Sequence, residues 1–309
     1  MVEFSVHLIT YNNEAFIRET LDSILNQELD FNYEIVVGDD CSDDATLQII
    51  RDYSGTNPGL FKIEQNQSQL GILKNFKATL DRCRGTYVFP IAGDDYFSTN
   101  DALQTMYNAI NTSDGIGFTD CGFDEYKIKE QKKNSFVNRT NILLPERTYK
   151  KKILLGQIPP LGFCYNRKLL MQLVDFEGYI NQGTEIDDYP LQVDLVMNSN
   201  FKRINKSLLV YRIHDQSYSH QQNFDKQLNA NKEMKRLFDH FSVKYDFDEH
   251  LIKEYDEAMF KNLLLLSGYF SKRETGQHAF KSIINKSFID YIHYWASQNK
   301  VFRKLISII

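Results

Sequence analysis

The sequence predicts an α/β fold in which a mostly parallel sheet carries helices on both faces and is followed by a helical C-terminal region. Short apolar runs rich in β-branched residues alternate with amphipathic stretches from residue 3 onwards. After Gln221 the pattern changes to longer amphipathic segments. Alternating strands and helices form parallel sheets because each helical crossover returns the chain to the same edge of the sheet.

The elements follow one another in a regular order up to residue 92. Strands are predicted over 3–9, 34–38, 61–64 and 86–92, and helices over 14–27, 45–53 and 72–83. The stretch 115–215 is less regular and contains one predicted strand, 208–212; helices are predicted over 224–241 and 251–270. We therefore predict two domains, 1–220 and 221–309.

Composition and charge are those of an ordinary globular protein. The 309 residues are 42% hydrophobic and 25% charged, which is enough for a buried core. The formal net charge of -5 provides no whole-chain basic field, so nucleic acid is not predicted as a partner.

The cysteines and the N-terminus favour a cytoplasmic location. The four cysteines form no CxxC pair, and we interpret them as reduced thiols. The chain enters a strand at once, without a basic segment followed by an apolar one, so no signal peptide is expected. No run of about 20 apolar residues predicts a membrane-spanning helix. The cysteines are Cys41, Cys83, Cys121 and Cys164.

Polar and acidic residues follow the predicted strands at the edge where open parallel sheets bind ligands. They are Thr10-Tyr11-Asn12 after the first strand, Asp39-Asp40 after the second and Asp94-Asp95 after the fourth. Carboxylates suit Mg²⁺ or Mn²⁺, which would neutralise a diphosphate leaving group. Each acidic pair alone could equally cap a helix or form a turn, but two pairs at one edge favour a cation site.

Four segments together resemble a known family. They are Thr10-Tyr11-Asn12 with Glu14, then residues 37–44 around Asp39-Asp40, then Gly71 to Asn75, then Gly85 to Asp95. In order and spacing they are similar to the nucleotide-binding half of family 2 glycosyltransferases of the GT-A fold. Farther on, residues 185–189 look like the acceptor-base segment, and residues 211–219, from Tyr211 to Ser217 and Ser219, look like the closing motif of many bacterial members. The resemblance covers residues 4–220.

The resemblance implies a role for each matching residue. Thr10, Tyr11, Asn12 and Glu14 would line the nucleotide pocket, Asp40 would hydrogen-bond the base, typically uracil, and Lys74 would reach the nucleotide or its phosphates. Asn75 would order the local loop, Asp94 would touch the ribose or donor sugar, and Asp95 would bind Mn²⁺ or Mg²⁺.

The chain departs from the family pattern at Gly93, where many members carry the first acid of a D-x-D triplet. The number of protein ligands to the metal therefore stays open. His214 is a candidate second ligand because Mn²⁺ accepts imidazole, and the alternative is a hydrogen-bonded structural histidine. Arg212 could balance phosphate charge or pair with a carboxylate, and both roles stay open.

The resemblance also implies a general base. Inverting transfer is a direct displacement, so a carboxylate must take the proton of the acceptor hydroxyl. By the family pattern this residue is Asp188, with Asp187 as the competitor. Because Pro190 follows in the first turn of a predicted helix, one of the two could instead cap that helix.

The last stretch, 281–309, is basic and amphipathic. It carries Lys281, Lys286, Lys300, Arg303 and Lys304 against Asp290, and its apolar residues recur at near-helical spacing: Phe288, Ile292, Trp295, Phe302, Ile306 and Ile309. Such a helix suits peripheral contact with the inner face of an anionic membrane. Packing on its own domain, or on a second subunit in a homo-oligomer, is the alternative and is slightly favoured.

The motifs and the family resemblance together predict an inverting glycosyltransferase with a saccharide or lipid-linked glycan as acceptor. The resemblance implies a UDP-sugar donor, and dTDP- and GDP-sugars stay open as alternatives. The family resemblance suggests synthesis of bacterial surface polysaccharide such as lipopolysaccharide O-antigen or capsule. A nucleotidyltransferase or a dinucleotide-dependent oxidoreductase would need a glycine-rich loop after the first strand, where this chain has Thr10 to Glu14. The alternative from another class is a catalytically silent nucleotide-sugar-binding or scaffolding subunit.

Overall fold

The chain folds into two compact units. A computed structural model describes residues 2–113, 115–215, 223–299 and 302–303. Its contacts separate Met1–Ser217 from Tyr218–Ile309. Within the described ranges the first unit contains the strands, and the second is helical.

The first unit alternates strands and helices through residue 110 and continues with a mixed region. Its strands are β1 (Phe4–Thr10), β2 (Tyr33–Asp39), β3 (Phe61–Gln65), β4 (Tyr87–Ala92), β5 (Tyr96–Phe97), β6 (Ile116–Lys127), β7 (Lys132–Asn134), β8 (Phe163–Asn166) and β9 (Asn200–Ile213). Its helices are α1 (Ile17–Leu25), α2 (Thr46–Thr56), α3 (Ile72–Arg82), α4 (Ala102–Ile110), α5 (Arg139–Ile142), α6 (Glu146–Leu154), α7 (Arg167–Leu173), α8 (Phe176–Asn181) and α9 (Asp188–Asn198).

The strands form one sheet in the order β3-β2-β1-β4-β8-β6-β9-β5, with β7 paired to β6. The four strands β3, β2, β1 and β4 are mutually parallel, and β6 is parallel to β9. Strand β8 runs antiparallel to both β4 and β6. Thr10 pairs with Asp39, and Ile9 pairs with Ala92, so β1, β2 and β4 end at the same level. The predicted α/β class is confirmed, and the reversed β8 joins its two parallel parts.

The region 115–215 is more regular than the sequence pattern predicted. The strand expected over 208–212 is the last part of the 14-residue β9, and the 12-residue β6 lies beside it. The first half of β9, residues 200–207, is exposed or half-buried and includes Lys202 and Lys206. Its hydrophobic pattern is therefore weak. Pairing with β6, rather than local hydrophobicity, extends this strand.

The core lies between the sheet and its helices. Phe4, Val6 and Leu8 of β1 are fully buried, and so are Ser5 and His7 on the opposite face, because β1 is covered on both sides. Helix α1 buries Ile17, Leu21 and Ile24 at helical spacing. All four cysteines are free thiols, as expected.

The second unit is made of helices. They are α10 (Phe224–Lys244), α11 (Glu249–Phe270), α12 (Arg273–Ser282) and α13 (Phe288–Gln298). Leu264, Ala279 and Ile283 form a small buried cluster. None of the helices in the described ranges is long and apolar enough to cross a membrane.

A carboxyl group is buried inside the first unit. Asp120 of β6 is fully buried, and its Oδ2 accepts a hydrogen bond of 2.5 Å from the Tyr149 hydroxyl. Its Oδ1 has no hydrogen-bond partner among the described residues. Burial raises the pKa of Asp120 to about 8, although the Tyr149 hydroxyl and the charge of Arg203 oppose the shift. The folded protein therefore holds this group protonated near neutral pH.

We predict that Asp120 makes the folded protein less stable as the pH rises from about 4, the usual pKa of an unfolded aspartate, to about 8. In that window the unfolded chain releases a proton that the folded chain keeps, which costs at most about 1.4 kcal/mol per pH unit. Asp120→Asn cannot ionise and should flatten this dependence. Urea unfolding at pH 5, 6.5 and 8 measures the difference.

Asp124→Asn is the control of opposite sign. Burial disfavours the charge of Asp124, but hydrogen bonds from Ser207, the Phe136 N–H and Lys133 lower its pKa below the usual value. Asp124→Asn should therefore lower the free energy of unfolding more at pH 6.5 than near pH 3. An Asp120→Asn protein with the wild-type pH dependence would contradict the assignment of the buried proton.

Candidate active site

The loops after β1 and β2 are tied together at the carboxyl edge of the sheet. Asn12 has a left-handed backbone, with φ of 50°, and its side chain exchanges two hydrogen bonds with Asp43. The Glu14 N–H donates to Asp44, and the Glu14 carboxylate accepts from the Ala45 N–H at 2.9 Å. Asn12 and Glu14 are therefore at the predicted edge, where their side chains fix the two loops.

Thr10 and Tyr11 differ in what they offer to a ligand. Thr10 is buried, and its hydroxyl donates to Asn13 Oδ1 at 2.8 Å. Tyr11 is 44% exposed at the same edge. Of these two residues, Tyr11 presents an accessible ring face.

The two acids that end β2 bind neighbouring loops. Asp39 accepts from the N–H and the hydroxyl of Ser42, the latter at 2.5 Å. Asp40 is buried and accepts from the Asn66 amide at 2.9 Å, the Leu70 N–H at 2.8 Å and the Gly71 N–H at 3.1 Å. Helix α2 begins after Ala45 without a side-chain cap, so neither Asp39 nor Asp40 caps it.

Lys74 and Asn75 lie in the first turn of α3. Lys74 is exposed. Asn75 is buried; its amide donates to the Gly38 carbonyl at 3.0 Å and its oxygen accepts from Asn66 at 2.9 Å. Asn75 thus orders the loop that holds Asp40, whereas the Lys74 ammonium can reach outward.

Gly93 follows β4 in a position that has no room for a side chain. A Cβ atom there would lie 2.6 Å from Thr10 Oγ1 and 2.7 Å from Asn13 Oδ1. The Gly93 carbonyl also accepts a buried hydrogen bond from Thr20 at 3.0 Å. The absence of an acid at this position therefore has a steric reason.

Asp94 and Asp95, which we call the acidic pair, face two residues at the end of β9. His214 Nε2 lies 3.0 Å from Asp94 Oδ2, and its ring packs on Phe16 at 4.4 Å. Asp95 Oδ1 accepts from the Arg212 backbone N–H at 2.9 Å. Burial and the charge of Asp94 raise the pKa of Asp95 well above its usual value, against the smaller effect of Arg212. The pair would be stabilised by a bound cation.

The Arg212 guanidinium lies behind the acidic pair. Its side chain is 2% exposed and donates to the Asp94 carbonyl and to the Glu19 carboxylate, each at 2.5 Å. The guanidinium carbon lies 5.0 Å from the Phe16 ring centre and 4.8 Å from that of Tyr96. Of the two roles left open for Arg212, these contacts favour pairing with a carboxylate. Sequence reasoning missed Glu19, because a first-turn glutamate on a helix gives no sign of a partner so far along the chain.

The candidate bases lie at the start of α9. Asp187 precedes the helix and makes no side-chain capping hydrogen bond in the described part of the chain, while Asp188 accepts from the Tyr189 N–H. Burial and the charge of Asp188 raise the pKa of Asp187 to about 7. Burial raises the pKa of Tyr165 on β8, and the charges of Asp187 and Asp188 add to this shift, so the two acids lie near the strand that neighbours β4.

No group of three or more His, Cys, Asp or Glu side chains among the described residues could hold a metal by itself. The acidic pair and His214 offer carboxylate oxygens and an imidazole nitrogen, which suit Mn²⁺ and partly Mg²⁺. A metal would then need further oxygen ligands from a substrate. Ser217 and Ser219 of the closing motif lie outside the described residues.

Comparison with known proteins identifies related sequences. The sequence model of Glycosyl transferase family 2 matches residues 5–174, more than half of the chain. Glycosyltransferase GlyA of Streptococcus pneumoniae is 27% identical over 234 residues, which cover 70% of this chain and 31% of GlyA. TarS of Staphylococcus aureus, a poly(ribitol-phosphate) beta-N-acetylglucosaminyltransferase, is 37% identical over 100 residues, 32% of this chain and 17% of TarS. The chain thus aligns with less than a third of either relative.

Two solved structures share the fold. The crystal structure of TarS 1–349 from S. aureus in complex with UDP-GlcNAc has a TM-score of 0.63 at 18% identity, covering 99% of this chain and 91% of that one. The mannosyltransferase PcManGT from Pyrobaculum calidifontis, in complex with GDP-Man and Mn²⁺, has a TM-score of 0.58 at 15% identity and covers 99% and 86%. The predicted GT-A fold is confirmed.

Proposed function

We propose that this chain, which belongs to glycosyl transferase family 2 as its motifs predicted, is an inverting glycosyltransferase with a UDP-sugar donor. The acceptor is a hydroxyl of a saccharide or of a lipid-linked glycan. The pathway we propose is the synthesis of bacterial surface polysaccharide such as O-antigen or capsule. The UDP-GlcNAc and GDP-Man in the structural neighbours support a nucleotide-sugar donor.

The observation that carries this proposal is the acidic pair at the carboxyl end of β4. Asp95 is almost fully buried beside Asp94, and burial disfavours its charge. In our proposal Asp95 binds Mn²⁺ or Mg²⁺, His214 is the second protein ligand, and Asp94 contacts the ribose or the donor sugar. The bound ion would neutralise charge on the diphosphate leaving group.

The nucleotide occupies the loops after β1 and β2 in this proposal. The exposed ring of Tyr11 supports stacking on the base, and Asp40 binds the base N–H. Lys74, exposed on α3, reaches the phosphates. The remaining predicted pocket residues, Thr10, Asn12, Glu14 and Arg212, act through the loops and the acidic pair that they hold in place.

The transfer step requires a base on the acceptor side. We propose that Asp188 takes the proton of the acceptor hydroxyl, whose oxygen forms a bond to the anomeric carbon. The bond from that carbon to the phosphate oxygen breaks on the opposite face, and the nucleoside diphosphate leaves with its electron pair. Asp187 beside it remains the competitor for this role.

We propose a peripheral contact through residues 281–309, although Ile292 of the predicted apolar set is buried and therefore packs within its own unit. Lys300, Lys304, Ile306 and Ile309 of this stretch lie outside the described residues. Phe288, Tyr291 and Trp295 are 75%, 42% and 44% exposed and follow one another at helical spacing. Lys281 and Lys286 lie near the start of the helix. Aromatic and basic side chains together favour the interface of an anionic membrane, and self-association through the same face is the alternative.

Nucleotide binding tests the donor and metal assignments. We expect UDP to raise the melting temperature only with Mn²⁺; a ligand at 100 times its Kd stabilises by about 2.7 kcal/mol. Asp95→Asn keeps an acceptor for the Arg212 N–H but loses the charge, and should abolish the Mn²⁺-dependent shift. Asp52→Asn, on the exposed surface of α2, is the control. A persistent shift in Asp95→Asn would refute the ligand assignment, and no shift with UDP, GDP, dTDP or CDP would favour a scaffolding subunit.

Single substitutions distinguish the two candidate bases. Asp188→Asn should lower kcat by about 100-fold or more, while the shift produced by UDP and Mn²⁺ remains. Because the pKa of Asp187 is about 7, transfer in which Asp187 is the base should slow as the pH falls through 7, whereas transfer in which Asp188 is the base does not require Asp187 to be ionised. Asp187→Asn should then keep most of the activity. If the wild-type rate falls below pH 7, and Asp187→Asn is the inactive variant, Asp187 is the base.

Vesicle binding tests the membrane contact. Phe288→Ser combined with Trp295→Ser should lose sedimentation with vesicles that contain phosphatidylglycerol, because the exposed aromatic side chains are removed. Val243→Ser, which replaces a residue of α10 that is 84% exposed, should bind as the wild type does. Equal binding of the aromatic double variant and this control would exclude α13 as the contact surface.

A further inference from the structure

A cavity lies at the opposite edge of the sheet from the acidic pair. It has a volume of about 600 Å³, and we call it the basic cavity; it is lined by Lys62, Asp81, Arg82, Cys83, Arg84 and Arg167. Arg84 comes before β4, and the acidic pair follows it. A strand rises roughly 3.3 Å per residue, so the two places are about 20 Å apart.

The basic cavity contains positive charge that the protein does not neutralise. Lys62 pairs with Glu34 at 2.6 Å, and Arg82 lies 3.7 Å from Glu64, which is 64% exposed. Arg84 and Arg167 have no carboxylate within ion-pair distance among the described residues. The acid that lines the cavity, Asp81, is bound at 2.7 Å by Lys77 of the same helix.

Two buried donors in the cavity wall lack acceptors. Nε of Arg82 and Nε of Arg167 are inaccessible to solvent and have no hydrogen-bond partner in the described ranges. The other end of Arg82 is fixed, because its Nη2 donates to the Val37 carbonyl at 3.1 Å and to the Thr79 hydroxyl at 3.0 Å. These two N–H groups are too enclosed to contact a ligand in the cavity, but each leaves its guanidinium without a protein acceptor at Nε, so neither charge is neutralised there.

The remaining polar groups of the cavity do not oppose an anion. Burial, and next the charge of Glu34, raise the pKa of the Cys83 thiol to about 12, so this group is neutral. The Glu34 carboxylate is engaged by Lys62, the Ser5 hydroxyl and the Arg84 N–H. Neither group leaves a free negative charge in the cavity.

We propose that the basic cavity binds the phosphate group of a phosphate ester, at a site separate from the transfer site. The terminal guanidinium nitrogens of Arg84 and Arg167 can donate to phosphate oxygens, the pairing that arginine favours. Arg82, whose Nη2 is bound to Val37 and Thr79, adds its positive charge to the cavity wall. Lys62 adds an ammonium group that Glu34 holds in place. The site does not depend on the proposed donor or acceptor.

Inorganic phosphate is the probe for this site. In the 309-residue chain, with EDTA and without nucleotide, calorimetric titration with phosphate at constant ionic strength should show saturable binding. Arg84→Gln combined with Arg167→Gln should weaken it by about tenfold or more, since charge-assisted hydrogen bonds are lost. Arg51→Gln combined with Lys168→Gln removes the same charge from exposed positions and should bind as the wild type does. Equal binding by the two double variants, or no saturable binding by the wild type, would overturn the proposal.

Two further measurements identify the source of the phosphate and test whether the basic cavity is separate from the transfer site. Displacement by glycerophosphodiester would indicate a soluble phosphodiester, whereas displacement only by phosphatidylglycerol vesicles would indicate a lipid headgroup. If UDP with Mn²⁺ raises the melting temperature of the wild type, it should raise that of the Arg84→Gln, Arg167→Gln variant by the same amount. Loss of that response in a folded variant would show that the cavity is not a separate site, and a wild type that binds phosphate but no nucleotide would refute only the proposed donor.

Discussion

The enclosed charge of Arg212 is the constraint on which the geometry of the acidic pair depends. A guanidinium inside a protein must be paired and fully hydrogen-bonded, since its transfer from water is otherwise very unfavourable. Glu19 of α1, the carbonyl of Asp94 and the faces of Phe16 and Tyr96 meet this requirement. The end of β9, the turn after β4 and the first turn of α1 are therefore held in one arrangement.

The same arrangement leaves the carboxylates of the acidic pair in need of positive charge. The Arg212 guanidinium donates to Glu19 and to the Asp94 carbonyl, while Asp95 accepts a hydrogen bond from the backbone N–H of Arg212. Burial consequently outweighs the attraction of Arg212 in setting the pKa of Asp95. In the described part of the chain the ion-pair partner of these two acids is His214, 3.0 Å from Asp94, which carries charge only when it is protonated. Two adjacent acids with such a partner have the electrostatic character of a cation-binding position.

Much of this arrangement could be predicted from the sequence, and the remainder depends on pairings that leave no local trace. The alternation of strands and helices placed Asp40 and Asp95 at one edge because parallel strands share an orientation. The length of β9 was missed because its outer half gains its order from β6. Glu19 was missed for a similar reason, since its partner Arg212 lies on a distant strand. Local sequence patterns therefore identify the acids at the site, but they do not identify partners such as Glu19 that come from distant parts of the chain.

The crowding around Gly93 limits how this site can change by mutation. Any side chain at this position meets Thr10 Oγ1 and Asn13 Oδ1 at less than 3.0 Å, and those two atoms are hydrogen-bonded to each other. A third acid next to the acidic pair would therefore require the Thr10 and Asn13 side chains to move, which disturbs the hydrogen bond between them. Acquisition of the acid triplet thus involves the loop after β1 as well as the turn after β4.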